Sequence, residues 1–234
     1  NGRLGWLPSP GVSDEGDAVA VREPALMRVQ YSQDGLDVGD LAATWHAQLA
    51  AWLAEADAAG VPDANAMVLA TAGEDGRPSS RTVLCKGIDA HGVAFFTNYT
   101  SVKSRELREI RYASATFPWY ALHRQAHVRG TVTTVDPAET ARYWRSRPRG
   151  SQLGAWASVQ STVVADRRVL DDALAVVTRR YEGMEVPVPP HWGGWRLAPE
   201  QVEFWQGRAD RMHDRLRFDL DLHDRSWRVR RLAP

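Results

Sequence analysis

"AMVLATAGEDGRPSSRTVLCKGIDAHGVAFFTNY", residues 66–99, decides the class of fold. Within it "AMVLATA", "SRTVLCKGI" and "VAFFTNY" are short runs rich in apolar and β-branched residues, separated by the turn-forming "EDGRP" and "DAHG". Runs of this length bounded by Gly, Pro and Asp read as strands, and connections this short imply antiparallel neighbours. Farther along, "ASATFPWYAL", "QAHVRGTVTTV", "QVEFWQG", "DRLRFDL" and "WRVRRLAP" continue the pattern. Five or more such strands in one domain predict an antiparallel barrel or sandwich.

Helical spacing appears only around these strands. From Asp40 to Ala59 the residues Leu41, Trp45, Leu49, Trp52 and Leu53 form one apolar stripe, with Asp40 as the expected N-cap and Gly60 as the stop. "SVKSRELREI" and "DPAETARYWRSRP" are shorter helices, the second opening with Asp136 as cap and Pro137 in the first turn. "VVADRRVLDDALAVVTRRYE" places Val164, Leu170, Leu174 and Val177 on roughly one stripe, and "PVPPHWGGW" ends helical structure. The expected chain is mainly β with peripheral helices, one domain over residues 27–234, preceded by a Gly-, Pro-, Ser- and Asp-rich extension, 1–26, that reads as mobile.

Composition excludes several classes. Lys plus Arg and Asp plus Glu balance at 29 each, so no overall field draws the chain to nucleic acid or an anionic membrane. The single Cys85 rules out an internal disulfide and leaves no thiolate zinc set; no metal is expected. No apolar run spans a bilayer and the start lacks the order of a secretory signal, so a cytoplasmic setting is expected.

Four polar segments exceed what a plain barrel needs. In "RTVLCK", Arg81 and Lys86 lie five positions apart, on opposite faces of a regular strand, unless both are merely solvated ends. "TNYTSVKSREL" sets Thr97, Ser101 and Lys103 at a strand-to-helix junction, where free N–H groups and the helix dipole attract an anion; Ser101 as a simple N-cap is the plainer alternative. "YWRSRPRGSQLGAWASVQS" carries Tyr143 and Arg147, four apart and so on one helix face, with Ser151, Gln160 and Ser161 beyond. Its Arg145, Arg147 and Arg149 beside Trp144 and Trp156 raise the idea of a nucleic-acid patch, which the balanced charge and the lack of a recognition signature oppose. Finally, "EFWQGRADRMHDR", 203–215, read as a strand, puts Trp205, Arg211, His213 and Arg215 on one side. Together these segments ask for anions and a planar ligand.

These motifs, with "FFTNYTSVK", "RQAHVRG", "VPPHWGGWR" and the closing "RLAP", resemble the pyridoxamine 5'-phosphate oxidase family in order and spacing from about Met27 to Pro234. The resemblance implies a split β-barrel of antiparallel Greek-key type and a homodimer with FMN at the subunit interface. It implies oxidation of pyridoxamine 5'-phosphate or pyridoxine 5'-phosphate by dioxygen to pyridoxal 5'-phosphate, a step of vitamin B6 synthesis or salvage. Hydrogen peroxide is released, with ammonia from the amine. On matching positions, FMN falls to Arg81, Thr82, Val83, Leu84, Cys85 and Lys86, to Phe96, Thr97 and Lys103, to Gln125, Gln160 and Ser161, and to Trp205 and Arg215. The substrate phosphate falls to Lys86, Tyr143, Arg147 and Ser151, and the pyridine to the catalytic candidates Arg211 and His213, under a covering segment from Arg28 to Tyr31.

Two positions depart from the family pattern. Phe96 stands where the pattern has Tyr, and Val102 where Ser-Arg-Lys has Arg. Arg105, three residues on and on the same helix face, is the candidate replacement. A split-barrel flavoprotein with another substrate and a non-catalytic binder of FMN or pyridoxal phosphate are the alternatives, opposed by Tyr143, Arg147 and Ser151 and by Arg211 and His213 respectively.

Overall fold

Alternation builds the sheet. In the computed structural model, which describes Glu23, Met27, Tyr31 and residues 35–234, β1 (Ala66–Ala72) buries Met67 and Leu69 completely while Val68 stays 37% exposed. Apart from Glu23, the stretch 1–26 lies outside the described residues, as does Arg28. A hairpin pairs β1 with β2 (Pro78–Leu84), Leu69 opposite Arg81. The strand expected through residue 88 breaks at Cys85–Lys86 and resumes as β3 (Gly87–Asp89), which turns into β4 (Gly92–Asn98). Then follow β5 (Tyr112–Trp119), β6 (Arg124–Thr134), β7 (Trp192–Gln206), β8 (Asp214–Leu220) and β9 (Trp227–Leu232).

The strands run in the order β2-β1-β5-β6-β7-β4-β3, with β8 pairing β7 and β9 pairing β8, all antiparallel. This is a mainly antiparallel sheet that curls into a half-barrel. At 15 residues, β7 is the spine: Trp192–Leu197 pair β4, its last six residues pair β8, and β6 follows it from Trp195 to Gln206. A register shift between Arg129 and Gly130 bends the β6–β7 ladder. Gly130 is required there, since a Cβ would lie 2.1 Å from the Ala198 carbonyl oxygen.

Helix α1 (Trp45–Ala58) covers the core with Trp45, Leu49, Trp52 and Ala56. Its cap is Thr44, whose Oγ1 accepts from the Ala47 N–H at 3.3 Å; Asp40, the expected cap, belongs to a separate 3-10 turn, Val38–Asp40. Gly60 then takes a left-handed φ of 72°, ending the helix. The Trp52 ring meets Phe204 edge-on at 5.1 Å, joining α1 to β7 within a core that holds Leu69, Phe95, Phe117, Val128 and Leu216. Truncating such a ring typically costs about 3–5 kcal/mol.

The remaining helices frame one end of the sheet. These are α2 (Val102–Glu109), α3 (Pro137–Ser146), α4 (Arg149–Ala157) and α5 (Arg167–Arg180). Trp144, Leu153, Tyr181 and Trp192 make a second, smaller core among α3, α4 and the start of β7. The α5 stripe is open instead: Leu170 and Leu174 are exposed and no residue of the helix is buried within this chain. No helix among the described residues is long and apolar enough to cross a membrane.

Candidate functional site

A cleft of about 480 Å³ opens where β2, the far end of β4, the start of α2 and the end of α3 meet. Arg81, Thr82, Val83, Leu84 and Lys86 form one wall. Arg81 and Lys86, expected on opposite faces, share this cleft because β2 ends at Leu84 and the chain changes direction before Lys86. Cys85 does not line it. Its buried thiol turns toward α1, beside a separate cavity of about 810 Å³ that Lys86 also borders, and burial pushes its pKa up to about 11.

The opposite wall holds Phe96, Thr97, Val102, Lys103, Gln160 and Ser161. Lys103 is only 8% exposed; its Nζ donates to Thr97 Oγ1 at 3.2 Å, Ser101 Oγ at 3.4 Å and Gln160 Oε1 at 3.0 Å. No carboxylate pairs with it among the described residues, and burial, helped by the nearby Arg81 charge, lowers its pKa. Ser101 stands at the N-cap of α2 without capping it, because its hydroxyl donates to the Asn98 carbonyl at 2.7 Å. The Val102 N–H instead points at Ser161 Oγ, 3.4 Å away, so the start of this helix faces the cleft.

Tyr143 and Arg147 close the far side. Arg147 lies one residue past the end of α3 in extended backbone, yet stays beside Tyr143. Its guanidinium lies 4.7 Å over the Trp192 ring and donates from Nη2 to the Ser151 carbonyl at 2.9 Å. Ser151 thus meets Arg147 through its backbone, and its side chain does not line the cleft. Burial lowers the Arg147 pKa and raises that of Tyr143. Arg147 Nε is buried and has no hydrogen-bond partner among the described residues. Phe96 stacks on Tyr143 at 4.2 Å and on Trp192 at 5.6 Å, so its missing hydroxyl is replaced by an aromatic wall.

Arg81 is engaged by its own chain, with Glu106 Oε2 3.2 Å from Nη2 and with Thr71 and Ser79 beside it. Burial pushes the Glu106 carboxyl up, but the hydrogen bonds of Thr71 and Ser79 and the Arg81 charge outweigh it and hold the pKa low. Sequence reasoning missed Glu106, because nothing in "SRELREI" marks which carboxylate faces β2. Arg105 does not line the cleft; its Nη1 donates to the Thr100 carbonyl at 2.6 Å.

The remaining candidates gather at the opposite end of β7. The stretch 203–215 is a hairpin, not one strand: β7 ends at Gln206, β8 begins at Asp214, and Asp210 and Arg211 between them take φ of 52° and 62°. Register therefore sets Gln125, Trp205 and Arg215 side by side on β6, β7 and β8. His213 packs on Trp205 at 4.7 Å, and Tyr31 meets Trp205, His213 and His123 at 6.1, 5.7 and 4.2 Å. His213 Nδ1 accepts from the Arg208 N–H at 3.0 Å, which puts the proton of the neutral ring on Nε2. Burial, then the neighbouring Arg211, lowers the His213 pKa and favours that neutral form. Arg211 itself is exposed.

One end of β7 thus offers buried or stacked cations with few carboxylates, and the other a row of planar and hydrogen-bonding groups. A phosphate suits the first: it supplies the countercharge absent at Lys103 and an acceptor for Arg147 Nε.

Known proteins share this fold. The solved structure of PhzG from Burkholderia lata, in complex with tetrahydrophenazine-1-carboxylic acid, superposes with a TM-score of 0.79 at 35% identity, covering 86% of this chain and 98% of that one. A pyridoxamine 5'-phosphate oxidase-related, FMN binding protein from Nostoc punctiforme has the same fold, with a TM-score of 0.66 at 18% identity, over 82% of this chain and 99% of its own. In sequence, a pyridoxine/pyridoxamine 5'-phosphate oxidase from Saccharopolyspora erythraea is 62% identical over 89% of this chain and 94% of its own length. Its counterpart from Mycolicibacterium smegmatis is 53% identical over 96% and 100%. Residues 53–181 match the family described as pyridoxamine 5'-phosphate oxidase, and residues 192–234 match the pyridoxine 5'-phosphate oxidase C-terminal dimerisation region. The chain belongs to the pyridoxamine 5'-phosphate oxidase family.

Proposed function

We propose that this protein oxidises pyridoxamine 5'-phosphate or pyridoxine 5'-phosphate to pyridoxal 5'-phosphate, using FMN and dioxygen, as a homodimer. One observation carries the reading: a cation-lined cleft at one end of β7 and an aromatic, hydrogen-bonding row at the other, each only half of the site the family requires. A second copy, docked through the region that matches the family's dimerisation region, brings one chain's cleft to the other's row.

Lys103, the start of α2, Gln160 and Ser161 hold the FMN phosphate, with Arg81, Thr82, Val83, Leu84, Phe96 and Thr97 along the rest of the molecule. Cys85 contributes only backbone. Gln125, Trp205 and Arg215 come from the partner subunit's row. The bound FMN supplies a hydride acceptor that dioxygen then reoxidises, with release of hydrogen peroxide.

The protein's own part is positioning. Lys86, Tyr143 and Arg147 bind the substrate phosphate, and that remote binding holds the reacting carbon in place. The Nε2–H of neutral His213 and the Arg211 guanidinium orient its amine or hydroxyl. Tyr31, packed on His213 and His123, excludes water; Arg28, placed with it by family likeness, lies outside the described residues. With its Nδ1 lone pair held by the Arg208 N–H, neutral His213 acts toward the substrate as a donor and not as a base.

A second reading is oxidation of a different planar acid, as the PhzG likeness hints. Half-buried Arg147, whose buried Nε has no partner among the described residues, favours a phosphate-bearing substrate instead. Protein saturated with FMN and given pyridoxamine 5'-phosphate in air should yield one hydrogen peroxide per pyridoxal 5'-phosphate. Saturable flavin binding without peroxide leaves a non-catalytic binder, and no saturable flavin binding overturns the reading entirely. Expression in the cytoplasm fits this chemistry and the single buried thiol, Cys85.

A further inference from the structure

The largely buried carboxylate of Glu203 stands behind Arg215. It lies on β7 two residues before Trp205 and its side chain is 13% exposed. Arg215 donates to it twice, Nε to Oε1 at 2.8 Å and Nη2 to Oε2 at 3.0 Å, and Nη1 donates to the Ala233 carbonyl at 3.0 Å. A guanidinium has five N–H groups. Three are held within the chain, leaving one on each Nη for a ligand. Two parallel bonds to one carboxylate also fix the guanidinium plane, which a single contact does not.

Charge gives this pairing a direction. The carboxylate largely cancels the arginine's charge, so the two free N–H groups act as oriented donors more than as a cation. Such donors match a neutral acceptor, whereas the poorly compensated Lys103 and Arg147 at the other end of β7 match phosphates. Trp205, directly across from Arg215 in the β7–β8 register, supplies a flat apolar neighbour for a ring.

We propose that Glu203 is a positioning residue that holds Arg215 as a rigid, charge-compensated donor pair for the uncharged ring of the flavin. This rests on the FMN reading above and adds a residue that acts on the cofactor only through Arg215.

The test is a double-mutant cycle in the full-length protein, read by FMN dissociation constant and by the position of the bound flavin's visible absorption bands. Arg215→Ala should weaken FMN by about tenfold. Glu203→Gln, which keeps shape but removes charge, should weaken it by a similar factor and shift the bands, with Glu203→Asp falling between it and the unaltered protein. In the Arg215→Ala background, Glu203→Gln should have no further effect. Additive losses, or an unchanged constant in Glu203→Gln, overturn the proposal while leaving the cofactor assignment intact. An Arg215→Ala protein that binds FMN normally removes Arg215 from the flavin site and the proposal with it. Should Glu203→Gln fail to fold by circular dichroism, Glu203→Asp alone decides: unchanged affinity and bands reject the positioning role.

Discussion

The two ends of β7 solve the problem of buried charge in opposite ways. Around Trp205, every arginine named at the hairpin base has a carboxylate: Arg215 pairs with Glu203, while Arg208 and Arg231 converge on Asp214 at 3.1 and 2.6 Å. Around Gly194, which pairs with Phe96, Arg81 has Glu106, but Lys103 rests on hydroxyl and amide oxygens and Arg147 on aromatic faces and one carbonyl. A charge held by neutral dipoles is left with unspent attraction for an anion, whereas an ion pair is nearly complete. The first arrangement binds charge, and the second aims a donor.

Lys103 offers the hardest test of that contrast. Lys103→Met keeps the length and removes the charge, and should weaken FMN by about 3 kcal/mol, the upper range for a bond to a charged group, near a hundredfold. Without FMN the same variant should melt no lower than the unaltered protein, because a desolvated ammonium without a carboxylate is itself costly. Calorimetry with and without FMN separates the two effects. A fall in the melting temperature of the flavin-free variant would show that Lys103 is structural and that the ends of β7 do not differ as argued.

Arg147→Ala comes next. It should raise the KM for pyridoxamine 5'-phosphate by roughly ten- to thirtyfold, about 1.5–2 kcal/mol, with the FMN dissociation constant unchanged. Steady-state kinetics at saturating FMN, beside a flavin titration, check both halves. Parallel losses in flavin and substrate binding would merge two anion sites into one.

What the sequence disclosed follows the range of the interactions involved. Strands such as 66–72 and 92–98 were legible because alternation and turn residues are local signals. The cleft-lining set was legible through family motifs, and Arg81, Lys103, Gln160 and Tyr143 do meet at one place. Facing was the weak point. Arg81 and Lys86 looked opposed because the break at Cys85 has no strong turn residue, and 203–215 looked like one strand because "GRADRM" hides a turn that depends on φ above 50° at Asp210 and Arg211. The partnerships of Glu106 with Arg81 and Glu203 with Arg215 depend on tertiary placement and register, which spacing along the chain does not contain. Thr44 displaced Asp40 as the cap of α1 because both are good caps and packing of Trp45 chose between them.

Acid should loosen the paired end of β7. Burial pushes the Asp214 carboxyl up, but bonds from the Leu36 N–H, Arg231 and Arg208 outweigh it and hold its pKa below the ordinary 3.8. A depressed carboxylate contributes stability that is complete above its unfolded value and is lost as pH falls through its folded one. Protection of the Leu36 amide, which donates to Asp214 Oδ2 at 3.0 Å, should therefore drop below about pH 4. Asp214→Asn should lower it at neutral pH by under about 1 kcal/mol, since Arg208 and Arg231 are each 44% exposed and solvent screens the pairs. Hydrogen exchange resolved to this amide measures it, and an acid-insensitive Leu36 would show that the charges contribute little to order at this end.

The smallest effect belongs to Arg105. Its place three residues after Val102 invites the idea that it reaches back to replace the family's arginine at the phosphate. The geometry opposes this: the side chain is exposed and its Nη1 is committed to the Thr100 carbonyl at 2.6 Å, while Val102, not Arg105, lines the cleft. Side chains on a helix lean toward its N-terminus, and here that lean carries Arg105 to Thr100 on the outer surface. Arg105→Ala should change FMN affinity by less than about 0.5 kcal/mol, as for a surface substitution. Val102→Arg places a guanidinium where the cleft lacks one, and Arg105→Ala should add nothing in that background either. A cycle of these two substitutions with strong coupling in FMN affinity would mean that both reach one phosphate, and that the cleft's charge is less sparse than its comparison with the paired end requires.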